Sequence, residues 1–294
     1  MGKGIIDIRN LSKYYGRSRG VENINLQVNK GDIFGFIGPN GAGKSTTIRI
    51  LLNLIFPDTG NAEILGMDVV KDSKKIKAHI GYIPSDANLY DNMGVKEFLF
   101  YCCRFYKIGD AEERIQELSG LLELDLSRKM EELSMGNKKK VSIIQSLVHR
   151  PDILILDEPT TGLDPLIQAT FFDLLRKENK RGTSIFFSSH VLSEVQAICN
   201  RVAIIKNGTI VKVENIETLR SKQLKKIHVN FEGKVPENLQ IVGIDTIDVK
   251  SNGYLSFTYS GEINHLVKEL STLKITNLLI EEPDLEEIFL HYYK

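Results

Sequence analysis

The stretch GPNGAGKS, Gly38 to Ser45, sets three glycines, a lysine and a hydroxyl in an order that suits phosphate binding. Gly38, Gly41 and Gly43 let the chain turn tightly with its N–H groups facing inward, so anionic oxygens can approach with no side chain in the way. A helix starting at the end of the turn adds the positive end of its dipole. Lys44 would then reach the β- and γ-phosphates of a nucleotide and Ser45 would place its hydroxyl on Mg²⁺. Thr46 comes next, in line for the α- and β-phosphates. A turn that only capped a helix would need neither the lysine nor the hydroxyl. Farther along, Asp157 and Glu158 follow the apolar run ILIL. In a triphosphate site two such carboxylates divide the work. Asp157 would hold Mg²⁺ through a water, and Glu158 would orient and polarise the water that attacks the γ-phosphorus. Acidic residues after a strand often only open a loop, and it is the upstream cradle that makes this pair a candidate.

The surrounding elements are those such a site requires. GDIFGFIG (Gly31 to Gly38) reads as a buried strand and STTIRILLNLI (Ser45 to Ile55) as an amphipathic helix, the strand, loop, helix order of a phosphate loop. Before them, IIDIRNLSKYYG and VENINLQV suggest an antiparallel portion leading into that strand. IGYIP (Ile80 to Pro84) is a further strand. From Asp86 to about Arg150 the apolar residues fall three and four apart in KEFLFYCCRFY, AEERIQELSGLLELD and NKKKVSIIQSLVHR, which predicts a mostly helical insertion. PDILILDEP and TSIFFSSH are continuous apolar strands of the kind buried on both faces of a parallel sheet, with a helix between them. RVAIIKNGTIVKVE holds two β runs joined by Asn207 and Gly208, a two-residue hairpin signal.

With these residues in hand, the chain resembles the nucleotide-binding subunits of ATP-binding cassette transporters over about residues 4 to 220. Tyr15 and Gly16 of KYYG match the aromatic that stacks on adenine, a contact of about 1–3 kcal/mol by analogy with stacked bases. ELSMGNKKK (Glu132 to Lys140) matches the family signature LSGGQ, DEPTTGLD (Asp157 to Asp164) matches the second carboxylate motif and the D-loop, and SSH ends in a switch histidine, His190. The resemblance implies an ATPase that binds ATP and Mg²⁺. Its nucleotide contacts would be Tyr15, Asn40, Gly41, Ala42, Gly43, Lys44, Ser45, Thr46, Ser134, Gly136 and Asp164; its catalytic groups would be Glu158, His190 and Lys44; its metal contacts would be Ser45, Asp157 and Ser85. In this family ATP is sandwiched between the phosphate loop of one subunit and the signature of another. Ser134 and Gly136 would therefore face a partner's γ-phosphate, and His190 and Asp164 would sense the γ-phosphate and the partner subunit. Ser85 takes the glutamine position of the usual Q-loop, where its side chain is too short to reach the metal directly, so a water or Asp86 would have to bridge. Met135 replaces the first signature glycine and Asn137 the signature glutamine.

The implied fold is an α/β phosphate-loop NTPase cassette with an antiparallel β subdomain and a helical insertion, over residues 1–222. A small C-terminal α+β domain over residues 223–294 completes the chain. KIHVNFEG, TIDVKSNGYLSFTYSG, INHLVKELSTL, KITNLLIEE and DLEEIFLHYYK predict the order β, β, β, α, β, α there. The ending EPDLEEIFLHYY is similar to the close of ATPase subunits from the exporter branch that handles drugs, peptides or polysaccharides.

Charge and composition narrow the partners. The 38 basic and 38 acidic residues cancel, so no global field draws the chain to nucleic acid or lipid head groups. Lys138, Lys139 and Lys140, with no interleaved aromatics, read as solvated helix surface near the nucleotide site. The apolar runs stop short of the roughly 20 residues that span a bilayer, and no signal peptide opens the sequence. Cys102, Cys103 and Cys199 have no metal-ligand spacing and read as reduced thiols of a cytosolic protein. The rings of FLFYCCRFY (Phe98 to Tyr106) have core spacing, part of which could line a groove for a membrane partner. The expectation is an ATP-hydrolysing subunit that pairs with a second cassette as a homo- or heterodimer. It would drive separate transmembrane permease subunits from the cytoplasmic face of the membrane, in the export direction. The alternative is a soluble regulatory or nucleic-acid-associated clamp, a class that carries two cassettes per chain or a long inserted coiled coil, neither of which is present.

Overall fold

The computed structural model describes residues 4–86, 89–106, 108–109, 111–217, 225–233, 235, 242–250 and 253–281. The chain divides into two compact units, Met1–Glu214 and Asn215–Lys294.

In the first unit the continuous apolar runs become a parallel sheet. Strand β3 (Ile33–Ile37) is buried at every position and lies between β8 (Ser184–Ser189) and β9 (Arg201–Lys206). Beyond β8 come β7 (Ile153–Asp157) and β6 (Ile80–Ile83), all parallel. Such strands lose water on both faces and therefore carry no alternation. Next to β9 lies β10 (Thr209–Asn215), reached through Asn207 and Gly208 at φ 48° and 77°, the left-handed pair that a tight hairpin turn needs.

A second, antiparallel sheet is built in the order β2 (Ser18–Val28), β1 (Ile6–Tyr15), β4 (Thr59–Ile64), β5 (Met67–Asp68). Thus the first two runs of the chain pair with each other but not with β3, and β4 and β5 extend them. Those last two strands carry little sequence signal, since TGNAEI is half polar and exposed at its first three positions. Helix α1 (Lys44–Leu51) shares one core with both sheets: Ile48, Ile50 and Leu51 are buried together with Ile6, Leu26, Ile64, Phe34, Ile155 and Phe186. The helix is shorter than the expected Ser45 to Ile55. Asn53 turns left-handed at φ 49°, and the Leu54 and Asn53 N–H groups fold back to the carbonyls of Arg49 and Ile50 at 2.8 and 2.9 Å. That pair of bonds closes the helix as a Schellman motif.

Between β6 and β7 the chain forms α3 (Val95–Phe105), α4 (Glu112–Leu121) and α5 (Met135–Leu147), preceded by the short α2 (Ser73–Lys77). The three longer helices are the expected insertion. Arg114 of α4, 6 % exposed, donates at 2.7 Å to Glu178, 1 % exposed. Glu178 belongs to α6 (Pro165–Lys180), the helix between β7 and β8. Removing one partner of such a buried pair costs about 3–5 kcal/mol, so this bond fixes α4 to α6. The short α7 (Leu192–Ile198) follows β8. The three cysteines are free and buried, and burial raises the Cys102 thiol to about 11.

The second unit holds an antiparallel sheet in the order β12 (Ile244–Lys250), β13 (Tyr254–Tyr259), β11 (Lys225–Phe231), β14 (Ile275–Glu281). Helix α8 (Ile263–Leu270) buries Leu266 and Leu270 against Ile227, Val229, Phe231, Leu255 and Phe257. The alternation of β11 explains this one-sided core, with His228 between two buried residues stacked on Tyr254 instead. The expected order β, β, β, α, β is present. The last expected helix, with Asp284 and Glu287, lies outside the described residues.

At the end of α5, His149 stacks on Tyr106 at 3.7 Å between ring centroids, and its Nε2 lies 3.1 Å from the Ile80 carbonyl. Burial lowers its pKa from 6.5 to about 4. The unfolded chain then takes up this proton near pH 6.5 while the folded chain resists until about pH 4, so stability falls as the pH drops through that window, by up to about 3 kcal/mol. His149→Phe keeps the stacking and removes the titration. Its melting temperature should fall less between pH 7 and pH 5 than that of the wild type, and equal falls would contradict the assignment.

Candidate functional site

The register of the parallel sheet sets three strand ends level. Ile37 pairs with Ser189 and Ser188 with Asp157, so the loop after β3, Glu158 after β7 and His190 after β8 all leave the same edge. The carboxyl edge of a parallel sheet is where α/β folds place their ligands.

The phosphate loop is packed too closely for a side chain at two of its glycines. A β-carbon at Gly43 (φ 108°) would lie 2.6 Å from Val21 Cγ1 and 2.7 Å from the Gly20 carbonyl, and one at Gly38 would run into the Ile205 carbonyl. Gly41 (φ 77°) is left-handed as well. The Gly208 N–H donates to the Ala42 carbonyl at 2.9 Å, tying the loop to the β9–β10 turn. Asn40 and Gly41 are exposed, Ala42 is buried, and Ser45 and Thr46 are half-buried at the start of α1. The Lys44 ammonium, on a residue 4 % exposed, donates to the Gly38 carbonyl at 2.8 Å and to that of Pro39 at 3.2 Å, and stands 3.3 Å from Glu158 Oε1. The same Oε1 is 3.2 Å from His190 Nδ1. One carboxylate therefore sits between the lysine of the phosphate loop and the histidine after β8.

Glu158 has φ 46°, a left-handed backbone that costs a non-glycine residue about 1–2 kcal/mol. Its N–H meets the Ser188 carbonyl at 3.2 Å and the Ser188 hydroxyl at 3.3 Å, and that hydroxyl donates to Asp157 Oδ1 at 2.7 Å. Asp157 and Ser188 are buried, and the Tyr82 phenol near them is raised to about 12 by burial and by the Asp157 charge. Glu194 of α7 accepts from Thr160 at 2.7 Å and from Ser189 at 2.6 Å, bracing the turn after Glu158 against the end of β8. Ser188 and Glu194 were not singled out in the sequence. Glu194 reads there as one acid on a short amphipathic helix, and only the fold brings it to Thr160.

The remaining sequence-predicted residues lie in two places. Tyr15 is 47 % exposed with its ring beside Gly20; a β-carbon there would lie 2.9 Å from Tyr15 Cε2 and 3.2 Å from Thr46 Cγ2, so the aromatic stands close to the start of α1. Ser134 caps α5, accepting from the Asn137 N–H at 3.3 Å. Gly136 follows with no room for a side chain, since a β-carbon would lie 2.6 Å from the Gly162 carbonyl of the D-loop. Asp164 caps α6 by accepting from the Ile167 N–H at 3.0 Å, and it is exposed. Among the described residues, no hydrogen bond or ion pair joins Ser134, Gly136 or Asp164 to the phosphate loop.

One reading is corrected. The lysines after the signature are not solvated surface: Lys139 is 1 % and Lys140 8 % exposed, and Lys138 pairs with Asp91 at 2.7 Å. Helix α5 packs this side against the body of the unit, and the long apolar stem of Lys139 carries its ammonium to the carbonyls of Pro84, Ser85 and Glu158. Ser85 is half-buried, and its carbonyl is the group engaged.

Known proteins share this sequence pattern and fold. The family described as ABC transporter matches residues 21–161. The chain is 34 % identical over 297 residues to the bacitracin transport ATP-binding protein BcrA of Bacillus licheniformis, spanning 97 % of this chain and 96 % of that one. The chain belongs to the ABC transporter ATP-binding family. It is 29 % identical over 290 residues to the Nod factor export ATP-binding protein I of Rhizobium etli, covering 97 % of this chain and 92 % of the relative. Its fold matches the dimeric structure of MJ0796, a bacterial ABC transporter cassette, with a TM-score of 0.67 and 25 % identity over 72 % of this chain and 98 % of that one. As a member of this family, the chain is the ATP-binding, ATP-hydrolysing subunit of a transporter. Among the described residues, no helix is long and apolar enough to cross a membrane.

The close packing at Gly43 yields a test of the cradle. Gly43→Ala forces the loop to shift away from Val21 and Gly20, and ATP affinity measured by calorimetry should fall about tenfold or more. Unchanged affinity would mean that the loop does not hold the nucleotide.

Proposed function

We propose that two cassettes close on two ATP molecules, each held by the phosphate loop of one chain and the signature of the other, and that hydrolysis reopens them to drive separate membrane subunits in export. The observation that carries this reading is the Glu158 carboxylate held 3.3 Å from Lys44 and 3.2 Å from His190, while Ser134 caps α5 with no bond to that cluster among the described residues. In this reading Lys44 leaves its loop carbonyls for the β- and γ-phosphates. The backbone N–H groups of Gly41 to Ser45 surround the phosphate oxygens, and Tyr15 stacks on the adenine. Glu158 accepts a hydrogen bond from a water and aims its oxygen at the γ-phosphorus. The water oxygen bonds to the γ-phosphorus as the bond from the γ-phosphorus to the β,γ-bridging oxygen breaks; one proton of the water stays on the phosphate, the other passes through Glu158 to solvent, and ADP leaves. His190 moves from Glu158 to the γ-phosphate.

The donor set suits Mg²⁺: Ser45 offers a hydroxyl and Asp157 a buried carboxylate, both hard oxygen donors, with Ser85 joining only through a bridging water or Asp86. Mg²⁺ is usually held by one or two such groups together with substrate phosphates. When bound, the ion neutralises charge on the phosphates.

The second signature residue and the D-loop support a shared seam. Ser134 and Asp164 cap α5 and α6 and are exposed there, and Gly136 lies in the first turn of α5, so all three sit at the positive end of a helix. The name of the bacitracin relative supports a role in transport and that of the Nod factor relative supports export. Docking on the permease is assigned to the helical insertion. There Tyr90, Tyr101 and Phe105 are 64, 41 and 68 % exposed and meet edge to face, Tyr101 on Phe105 at 5.0 Å and Tyr90 on Tyr101 at 6.5 Å. A run of exposed rings of this kind is the mark of a partner surface. In this reading the chain sits on the inner face of the membrane through those subunits.

Glu158→Gln should hydrolyse ATP about 100-fold more slowly or worse while still forming an ATP-dependent dimer in gel filtration. Wild-type turnover in this variant would refute the role of the carboxylate. The pair Tyr101→Ala and Phe105→Ala should retain ATPase activity and lose co-purification with the membrane subunits; unchanged co-purification counts against the docking face.

A further inference from the structure

Helix α5 carries a lysine that the assigned chemistry leaves unused. Lys139 is 1 % exposed, and its ammonium donates to the carbonyls of Ser85 at 2.7 Å, Pro84 at 2.9 Å and Glu158 at 3.4 Å. An ammonium has three N–H groups, and here three main-chain oxygens are set around it. Those oxygens belong to separate parts of the unit. Pro84 and Ser85 follow β6 and lead into the helical insertion, Glu158 ends the β7 turn, and Lys139 sits one turn into the helix that Ser134 caps. Burial lowers the Lys139 pKa from the usual lysine value, and the charges of Asp86, Asp157 and Glu158 oppose that shift.

Two features point beyond simple packing. The carbonyl engaged on Glu158 is that of the residue with φ 46°, so the clamp bears on the one left-handed acid at the sheet edge. And one ammonium bonds to the carbonyls of both Ser85 and Glu158, so a single side chain joins the two segments.

We propose that Lys139 is a positioning residue for hydrolysis. Its buried ammonium clamps the carbonyls of Pro84, Ser85 and Glu158 to one another, which fixes the backbone that aims the Glu158 carboxylate and joins it to the segment leading into the helical insertion. A movement of the insertion is thereby transmitted to the catalytic carboxylate through a cation carried by the signature helix. The three N–H groups of the ammonium are taken up by main-chain carbonyls, so the clamp acts on the reaction step and not on ATP binding. The proposal rests on the assignment of Glu158 given above.

The experiment compares Lys139→Met, which keeps an apolar stem of similar length, with Lys139→Gln, which returns two N–H donors on a stem one bond shorter. Lys139→Met should lower kcat about tenfold or more with KM for ATP changed less than about threefold. Lys139→Gln should recover at least about threefold of that loss. In the absence of nucleotide, hydrogen exchange should quicken at the Ser85 and Glu158 amides of Lys139→Met and stay unchanged at Ile155 in the middle of β7. If Lys139→Met does not fold, the same kcat, KM and exchange comparisons of Lys139→Gln with the wild type decide the matter. Wild-type kcat, a loss of ATP affinity as large as the loss of kcat, a Gln variant no better than Met, or unchanged exchange at Ser85 and Glu158 would each overturn the proposal. Glu158→Gln is run beside them. If it retains wild-type turnover, the assignment of Glu158 fails; if it is inactive and Lys139→Met is normal, only the clamp fails.

Discussion

The site depends on three buried parallel strands ending level. Because Ile37 pairs with Ser189 and Asp157 with Ser188, the phosphate loop, the two carboxylates and the histidine leave the sheet side by side. A slip of one residue in any of these pairings would turn the terminal side chain to the other face and move it along the strand. Burial on both faces is what prevents the slip, since β3, β7 and β8 expose no position to water. The apolar content of these runs and the chemistry at their ends are therefore one constraint: the first holds the register and the register gathers the second.

Charge then sets the details at that edge. Lys44, Lys139 and His190 approach Glu158 from three elements, the first and last at its carboxylate and the second at its carbonyl. Asp157 is satisfied separately by the Ser188 hydroxyl. The two neighbouring carboxylates thus have different surroundings, which is the physical basis for giving them different tasks. The signature belongs to another layer of the design. Ser134 is fixed by the α5 cap and Gly136 by its close approach to Gly162, and among the described residues neither bonds to the phosphate loop; in the proposed closure they face a second molecule.

Much of this was legible in the residues. GPNGAGKS, DEP and SSH each follow an apolar run, so the strand ends and the groups on them could be read together. Asn207 and Gly208 announced their hairpin, and the three helices of the insertion showed in their spacing. What escaped depends on partners distant in the chain. Strands β4 and β5 are too polar and short to announce themselves, and α1 stops early because Asn53 can adopt the left-handed turn, a choice local spacing does not reveal. The run of three lysines looked like solvated surface because composition weighs charge without knowing which carbonyls the fold will bring to it. Lys139 is buried because Pro84, Ser85 and Glu158, distant in the chain, supply its hydrogen bonds.

The central claim is that ATP is held at a seam between two chains, and mixing two inactive variants tests it most directly. Lys44→Ala removes the phosphate contact and Ser134→Arg blocks the signature, so each alone should be inactive. An equal mixture forms mixed dimers in which one of the two seams keeps an intact loop facing an intact signature, and about a quarter of wild-type hydrolysis should return. No recovery in a mixture shown to contain mixed dimers would mean that each chain completes its own site, and the account would be wrong.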